Sequence, residues 1–431
     1  MNNFIKVAKA VTPLWIGSLI GSGSTFIIYI FLARFLGANN FGIFGAAIST
    51  ASIFTLFAGM GVSQFWLKIF GNEGWDGLRW ILPSLKFLLL SFSLTIILLI
   101  TWAYIGPHTY LFKKILIIIP FFILGQISIQ LVSAKFQLEE RYSTLAIWQL
   151  SPNLCRLLTI FFLFYILKYN IDILFVIFIY ALVGLLFFLL SAYNLYFMKN
   201  GLFQLKGHKQ NIQNSTVLST PSLLNIFKES WPFGIASLFA FIYVQSDIIM
   251  VKYIAGDYQA GYYNASFSIL TAIMIFPTVL YQKFFIPRYH RWSNSNRIKF
   301  FDAYKKGNLS MLVFGIVIML ILFFTSDIMI PLVFGNEFYN SIKITKILSL
   351  AIPIYFVSYS TAATLVTQDN MKKKMKYMGI TAIINIILNY FLIIRFHAIG
   401  AAIATFISYA LLLSIYLYAT KKYVFLNEFN S

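Results

Sequence analysis

Polar side chains recur at helical spacing inside the long apolar stretches of this sequence. Gln149, Asn153 and Arg156 are separated by four and three residues, so a helix would place them on one face. A guanidinium group beside two amides can bind a phosphate-like anion together with neighbouring hydroxyl groups. Alternatively, Arg156 is a structural residue held by backbone carbonyls or by Asp247. Since arginine in the middle of an apolar helix costs about 2.5–3.5 kcal/mol, we expect Arg156 to face protein or a water-filled cavity.

A second polar face precedes the first along the chain. Gln126 and Gln130 are followed by Ser133 and Gln137, again at intervals of about one helical turn. These side chains could bind sugar hydroxyls, or they could hydrogen-bond between helices, which is common in membrane proteins. Shorter polar faces with the same two interpretations occur in two later apolar stretches, and they comprise Asn264, Ser268, Thr271, Thr381, Asn385 and Asn389.

Asp247 is the only acidic residue that falls deep inside a predicted span. A carboxylate there could bind a coupling proton or sodium ion, or it could pair with an arginine. Tyr243 lies one helical turn earlier on the same face. Arg34 and Lys252 fall near the outer ends of two spans, where they could form a basic rim or simply extend to the membrane interface.

Membrane-spanning helices must position these residues, because the chain is too apolar for a soluble protein. Of its 431 residues, 60% are hydrophobic and only 11% are charged, whereas soluble domains carry about 25% charged residues. About twelve stretches reach the roughly 20 apolar residues that a spanning helix needs. We predict spans at 11–35, 42–66, 82–105, 115–135, 144–167, 173–197, 232–254, 259–282, 309–334, 344–367, 376–395 and 398–420.

The formal net charge of +20 is distributed as expected for a membrane protein. With both termini in the cytoplasm, 24 of the 33 Lys and Arg residues fall in cytoplasmic segments and 8 on the opposite side. This bias follows the positive-inside rule and predicts the orientation. It also explains the positive charge by contact with anionic lipid headgroups, so we expect membrane lipids and no nucleic acid as partners.

One short phrase occurs twice, 219 residues apart. The segment LGANNFGIFGAA at residues 36–47 resembles AGDYQAGYYNAS at residues 255–266, and six predicted spans separate the copies. An even number of spans gives both halves the same orientation, which predicts a pseudo-two-fold axis along the membrane normal. A tight turn with positive φ, or a close backbone approach, would explain the glycines. The matched pairs are Gly37 with Gly256, Gly42 with Gly261, Phe44 with Tyr263, and Ala46 with Ala265.

The predicted fold is therefore an all-α integral membrane protein with about twelve transmembrane helices in two six-helix lobes. We assign residues 1–200 to the N-lobe, 201–230 to a polar cytoplasmic linker and 231–431 to the C-lobe. The first apolar run is expected to remain as a helix rather than be cleaved as a signal peptide. A single cysteine, Cys155, and the absence of a GxxxxGK[ST] motif lead us to expect no metal, nucleotide or other cofactor.

Several segments resemble the multidrug/oligosaccharidyl-lipid/polysaccharide (MOP) exporter superfamily, in particular its O-antigen and polysaccharide flippases. They are the turn LGANNFGIFGAA, the segment QSDIIMVKYIAG at 245–256 and the segment INIILNYFLIIRFHAIGAAIATFISY at 384–409. The resemblance implies a non-enzymatic transporter of the bacterial inner membrane. Its cargo would be an undecaprenyl-diphosphate-linked oligosaccharide, moved by alternating access to the periplasmic leaflet for O-antigen or capsule synthesis. It also implies proton or sodium coupling and contact with polysaccharide polymerase and chain-length machinery.

Two other functions stay open on the sequence alone. A multidrug or cation antiporter of the same superfamily would need carboxylates inside the first lobe. The acids there all fall in loops or at helix ends, which favours an anionic cargo; they are Glu73, Asp76, Glu139, Glu140 and Asp172. A membrane polysaccharide polymerase would need a long outer loop, whereas the outer loops here are short.

Overall fold

The computed structural model is helical throughout the residues that it describes, which are 2–166, 172–208, 219–367, 371–426 and 428. Side chains are described from residue 16 onward, except at 165–166, 243, 283, 287 and 294. Two predicted features lie outside the described residues: the middle of the linker, at 209–218, and the side chain of Tyr243.

The described part of the chain forms twelve α-helices. Short 3₁₀ segments at 74–80 and 336–338 and π-helical segments at 162–166 and 281–285 join or extend them. The helices are α1 (Asn2–Gly59), α2 (Val62–Glu73), α3 (Ile81–Ile105), α4 (Tyr110–Leu138), α5 (Tyr142–Phe161), α6 (Ile173–Lys199), α7 (Leu223–Ala255), α8 (Asp257–Leu280), α9 (Ile286–Ser295), α10 (Arg297–Phe334), α11 (Ser341–Thr364) and α12 (Met371–Tyr423).

The number of apolar spans agrees with the prediction of about twelve. The helical stretch Ile16–Ile105 is apolar over 90 residues and holds three spans, because α1 is kinked at Gly37 and the chain breaks again before α2 and α3. Helix α12 holds two spans, since His397 has non-helical backbone angles (φ 54°, ψ −134°). Within the described residues, α4–α6, α8, α10 and α11 each supply one more, and α7 supplies another as two segments, Leu223–Ile242 and Val244–Ala255, bent by 57°.

The chain forms two compact units. Unit 1 comprises Met1–Thr25 and Ala47–Leu238, and unit 2 comprises Phe26–Ala46 and Phe239–Ser431. Residues 26–46, predicted as part of the N-lobe, thus belong to unit 2, where they pack against α8 and the segment that follows α10.

Close backbone approaches at glycine hold helices together inside each unit. In unit 1, α4 packs along α6, and a Cβ atom built on Gly125 would lie 2.4 Å from the Cα atom of Gly184. In unit 2, α11 packs on α10, and a Cβ atom on Gly315 would lie 2.5 Å from the Cα atom of Pro353. Small residues allow such contacts, which drive helix association where lipid removes the hydrophobic effect.

The repeated phrase has the same backbone conformation in both copies. Gly37 has φ 71° and ψ 170°, and Gly256 has φ 94° and ψ 172°. L-residues with a side chain rarely adopt this combination, so glycine is required at both turns. The prediction that a turn with positive φ explains these two glycines is thereby confirmed.

The second glycine of each copy packs against the other copy, inside unit 2. A Cβ atom on Gly42 would lie 2.0 Å from the carbonyl oxygen of Asp257, and one on Gly261 would lie 1.9 Å from that of Ala38. Ala38 and Asp257 are equivalent positions, because the same 219-residue offset relates them. Each copy therefore presents its glycine to the same position of its counterpart, as expected for a pseudo-two-fold repeat.

We predict that Gly261→Ala disrupts this reciprocal contact. The added methyl group would overlap a backbone oxygen that cannot rotate away, so we expect a loss of about 1–3 kcal/mol, as for other overpacked sites. The measurement is the thermal unfolding midpoint of the purified protein in detergent. Gly23→Ala is the matched control, since a Cβ atom there has no neighbour within 4 Å; equal midpoints for the two variants would contradict the assignment.

Candidate functional site

Arg156 is almost completely buried in unit 1, with 4% of its surface exposed. Helix α5 places it one turn after Asn153, and its Nη1 atom donates a hydrogen bond to the Asn153 Oδ1 atom at 3.1 Å. The amide of Asn153 also approaches the carbonyl oxygen of Gly21 at 3.5 Å. The structure therefore brings together two of the three residues predicted for an anion site.

Two aromatic rings flank the guanidinium group of Arg156. Its Cζ atom lies 4.6 Å from the ring centre of Tyr180 on α6 and 5.1 Å from that of Phe122 on α4. Aromatic faces attract cations, and the attraction is stronger where water is excluded. Contacts with two rings and with Asn153 restrict the position of the guanidinium group, and a guanidinium fork can bind two oxygens of an anion at once.

Gln149, the third residue of that face, lies in a separate cavity of unit 1. This cavity has a volume of about 340 Å³ and is bounded by α2, α4 and α5. Gln130 of the second predicted face shares it, whereas Gln126 is half-buried on α4 and is not part of the lining. We call it the amide cavity; its lining residues are Ser63, Gln64, Leu67, Ile129, Gln130, Ser133, Ala134, Gln137 and Gln149.

Asp247 is the centre of a buried hydrogen-bond network in unit 2. Its carboxylate accepts hydrogen bonds from the Tyr263 hydroxyl at 2.7 Å, the Thr405 hydroxyl at 2.5 Å and the Asn389 amide at 2.6 Å. The donors come from α8 and from both spans of α12. Three donors on one fully buried carboxylate offset much of the cost of removing it from water.

Further polar side chains of α12 extend this network. Asn389 also donates to the Oδ1 atom of Asn385 at 3.1 Å, and the Asn385 amide donates to the Ser408 hydroxyl at 3.1 Å. The ligands are carboxylate, amide and hydroxyl oxygens, which suit a proton or a hard monovalent cation. Among the described residues, no group of three or more His, Cys, Asp or Glu side chains could hold a transition metal.

The network is specific to the second copy of the repeat. At the 219-residue offset, Asp247 corresponds to Ile28 and Tyr263 corresponds to Phe44. Both counterparts are apolar and buried, with exposed fractions of 1% and 0%. The two copies thus share their glycine turns but differ in the chemistry beside them.

Arg34 and Lys252 have local partners in unit 2. The Arg34 Nε atom donates to the carbonyl oxygen of Val333 at 2.7 Å, at the carboxyl end of α10, where a cation favourably opposes the helix dipole. Lys252 forms an ion pair with Asp257. Both alternatives for these residues, a basic rim and extension to the membrane interface, stay predictions.

Some residues of these sites escaped the sequence analysis. Nothing in the sequence distinguishes Phe122 and Tyr180 from the other aromatic residues, which form 19% of the chain. Ser63 and Gln64 could have been noticed as a polar pair just after Gly61. Tyr263 was recognised only as a member of the repeat, because its proximity to Asp247 depends on how α7 and α8 pack.

The sequence matches a protein family described as "polysaccharide biosynthesis protein" over residues 7–292, which is more than half of the chain. It is also 26% identical over 201 residues to a probable low-salt glycan biosynthesis flippase of Haloferax volcanii. That alignment covers 46% of this chain and 42% of the relative, so the chain matches less than half of the relative's length.

Solved structures of MOP transporters have the same fold. The lipid II flippase MurJ in an inward closed conformation superposes with a TM-score of 0.72 at 16% identity, covering 95% of this chain and 87% of that one. An inward-facing multidrug resistance MATE family transporter of the MOP superfamily gives a TM-score of 0.66 at 13% identity, covering 96% and 98%. The predicted superfamily fold is confirmed. Its apolar helices indicate a multi-pass membrane protein, and the chain belongs to the polysaccharide biosynthesis protein family.

Proposed function

We propose that the protein is a flippase for a polyprenyl-diphosphate-linked oligosaccharide. In a bacterium the lipid would be undecaprenyl diphosphate and the glycan an O-antigen or capsule repeat unit. The cargo would move by alternating access from the cytoplasmic leaflet of the inner membrane to the opposite leaflet, with both termini of the chain in the cytoplasm. The observation that carries this proposal is the buried guanidinium of Arg156, held by Asn153 and two aromatic rings.

A fixed positive charge inside a membrane span favours an anionic cargo. Arginine is expensive there, and such residues usually serve a transport path or a ligand. The acidic residues of the predicted N-lobe do not counter this charge from within the spans. They lie at helix ends or in the segments between helices: Glu73 ends α2, Asp76 lies at 74–80, Glu139 and Glu140 follow α4, and Asp172 precedes α6.

The charges therefore favour a diphosphate-bearing cargo over a cationic drug. A diphosphate offers several anionic oxygens, and a guanidinium fork can bind two of them at once. An exporter of cations would need carboxylates within the spans of this lobe, where the chain instead has Arg156. The Haloferax volcanii relative is described as a probable glycan biosynthesis flippase, and this description supports the same substrate class.

We further propose that Asp247 binds the coupling ion, either a proton or sodium. The site has one carboxylate and several neutral oxygen ligands in a fully buried position. Binding a monovalent cation would neutralise the carboxylate, and neutralisation would weaken its demand for hydrogen-bond donors from α8 and α12. Binding and release of the ion would thereby change how strongly these helices are held together. Coupling requires such a change, because an ion drives transport only if it binds the two conformations of the transporter with different affinities.

The first prediction from this proposal concerns Arg156. Arg156→Gln keeps a polar side chain that can reach Asn153 but removes the charge, so we expect transport to fall roughly ten- to hundredfold, the value of one hydrogen bond to a charged group, about 1.5–3 kcal/mol. Arg156→Lys keeps the charge without the planar fork and should be only partly defective. Surface polysaccharide in a complemented flippase-deficient strain is measured together with the amount of protein in the membrane.

A structural role for Arg156 would give a different pattern. Loss of packing would reduce the amount of Arg156→Gln protein in the membrane in proportion to the loss of polysaccharide. Normal polysaccharide in the Arg156→Gln strain would contradict the role in cargo binding. We expect reduced polysaccharide at normal protein abundance.

The second prediction concerns Asp247→Asn. The amide cannot release a proton or offer a negative charge to sodium, so we expect that imposed proton or sodium gradients no longer accelerate transport into proteoliposomes. Asp327→Asn is the matched control, because Asp327 is exposed and pairs with Lys346 at a distance of 2.7 Å. Acceleration equal to that of the wild-type protein under both gradients would exclude Asp247 as the ion site.

A further inference from the structure

The amide cavity of unit 1 has an unusual lining for a membrane protein. Six of its nine lining residues are polar, and none of the nine is charged. Four of the six are glutamines, contributed by three different helices: Gln64 by α2, Gln130 and Gln137 by α4, and Gln149 by α5. The remaining two are serines.

This lining excludes several classes of ligand. A phosphate would require cationic side chains, and a drug-like cation would require carboxylates or aromatic faces. An apolar chain would fit better in the groove between α1 and α3, which is lined by side chains such as Phe54, Leu94 and Trp102. Each carboxamide offers an acceptor and two donors, as do the hydroxyl and acetamido groups of sugars taken together. Uncharged sugar rings are the ligand class that this cavity fits.

Ser133 adds a hydroxyl group to the lining of the cavity. Its side chain lines the cavity with 5% of the residue exposed, and its hydroxyl has no hydrogen-bond partner among the described residues. Serine hydroxyls inside helices of this chain commonly donate to the carbonyl one turn back, as Ser128 does to Leu124 at 2.8 Å on the same helix. A buried hydroxyl without a partner costs about 1–3 kcal/mol. The hydroxyl oxygen itself is enclosed, so a sugar hydroxyl would become its partner after the Ser133 side chain turns toward the cavity.

The glutamines do not behave as helix-packing residues. Side chains that hydrogen-bond between helices are enclosed by them, whereas Gln64, Gln130 and Gln149 are exposed. The Gln64 Oε1 atom accepts a hydrogen bond from the Ser63 hydroxyl at 3.0 Å, which is a contact within α2 and not between helices. Three exposed amides around one cavity are better suited to a ligand than to the helix contacts that the alternative requires.

A break in the chain places α2 against this cavity. Met60 and Gly61 both have positive φ, 43° and 71°, and α2 begins at the next residue. Gly61 is required there, since a Cβ atom would lie 2.5 Å from the backbone nitrogen of Gly234. The break puts Ser63 and Gln64 in the first turn of α2, where they join the polar face of α4.

We infer that the amide cavity is the glycan subsite of the transporter and binds an uncharged sugar of the cargo. Its volume of about 340 Å³ is near the lower limit of small-molecule pockets, about 300–1,000 Å³, so it accepts a short part of an oligosaccharide. Gln64 and Ser133 are specificity-determining residues of this subsite. The inference rests on the proposed function, and it adds that the sugar bound here carries no carboxylate or phosphate.

The test is saturation-transfer NMR on the purified full-length protein in nanodiscs. The probes are methyl β-glucoside, methyl N-acetyl-β-glucosaminide and methyl β-glucuronide, with inorganic pyrophosphate as a separate probe for Arg156. We expect signals from the two neutral glycosides and a weaker signal from the glucuronide. Gln64→Leu and Ser133→Ala should each reduce the neutral signals roughly two- to tenfold, the value of one neutral hydrogen bond of about 0.5–1.5 kcal/mol.

Two controls separate this inference from the proposed function. Gln282→Leu removes an exposed glutamine of unit 2 and should leave the glycoside signals unchanged. Arg156→Gln should reduce pyrophosphate binding but not glycoside binding. If Gln64→Leu is poorly folded, Gln64→Glu preserves the size of the side chain and should weaken the glucuronide signal most.

Several outcomes would overturn the inference. They are unchanged neutral signals in Gln64→Leu and Ser133→Ala, a glucuronide signal as strong as the neutral ones, or no glycoside signal from the wild-type protein. Pyrophosphate binding that depends on Arg156 would survive all three outcomes, and the proposed flippase would then stand without this subsite.

Discussion

The hydrocarbon core of a membrane offers no hydrogen bonds, so every polar side chain in a span must find its partners within the protein. This constraint explains how the polar residues of the chain are grouped. Arg156 is enclosed by Asn153 and two rings, and Asp247 by three donors. The amide cavity contains one of several buried hydroxyls that the described residues leave without a partner. An incompletely satisfied polar site is where a ligand is most readily accommodated.

Comparison of the two copies of the internal repeat distinguishes residues that the fold requires from residues proposed to serve the function. Both copies keep the glycines that make the turn and allow the reciprocal contact, since any side chain there would overlap a backbone. They differ at the neighbouring positions, where Ile28 and Phe44 in one copy correspond to Asp247 and Tyr263 in the other. In the proposed function, unit 1 binds the diphosphate and the glycan of the cargo, and unit 2 binds the coupling ion. The glycines of both copies of the repeated phrase lie in unit 2, and in this proposal only the second copy contributes to the ion site.

Much of this fold could be predicted from the sequence. Hydropathy indicated about twelve spans, and the positive φ of Gly37 and Gly256 followed from glycine chemistry. Helical spacing also paired Asn153 with Arg156 correctly. Contacts between helices were not predictable, because spacing within one helix does not reveal which neighbour faces it. Hence the rings around Arg156, the hydroxyl of Tyr263 beside Asp247 and the contribution of α2 to the amide cavity emerged only from the structure. The assignment of residues 26–46 to unit 2 likewise depends on tertiary packing.

The central claim is that the chain moves a lipid-linked oligosaccharide across a bilayer. The most direct measurement is reconstitution of the purified protein into liposomes that contain a fluorescently labelled polyprenyl-diphosphate oligosaccharide. A membrane-impermeant quencher added outside reports the fraction of label that has crossed between leaflets. The account predicts that the protected fraction falls well below the one half found in protein-free liposomes, and that a polyprenyl monophosphate without sugar is moved poorly. A protected fraction that stays at one half with active, correctly folded protein would contradict it.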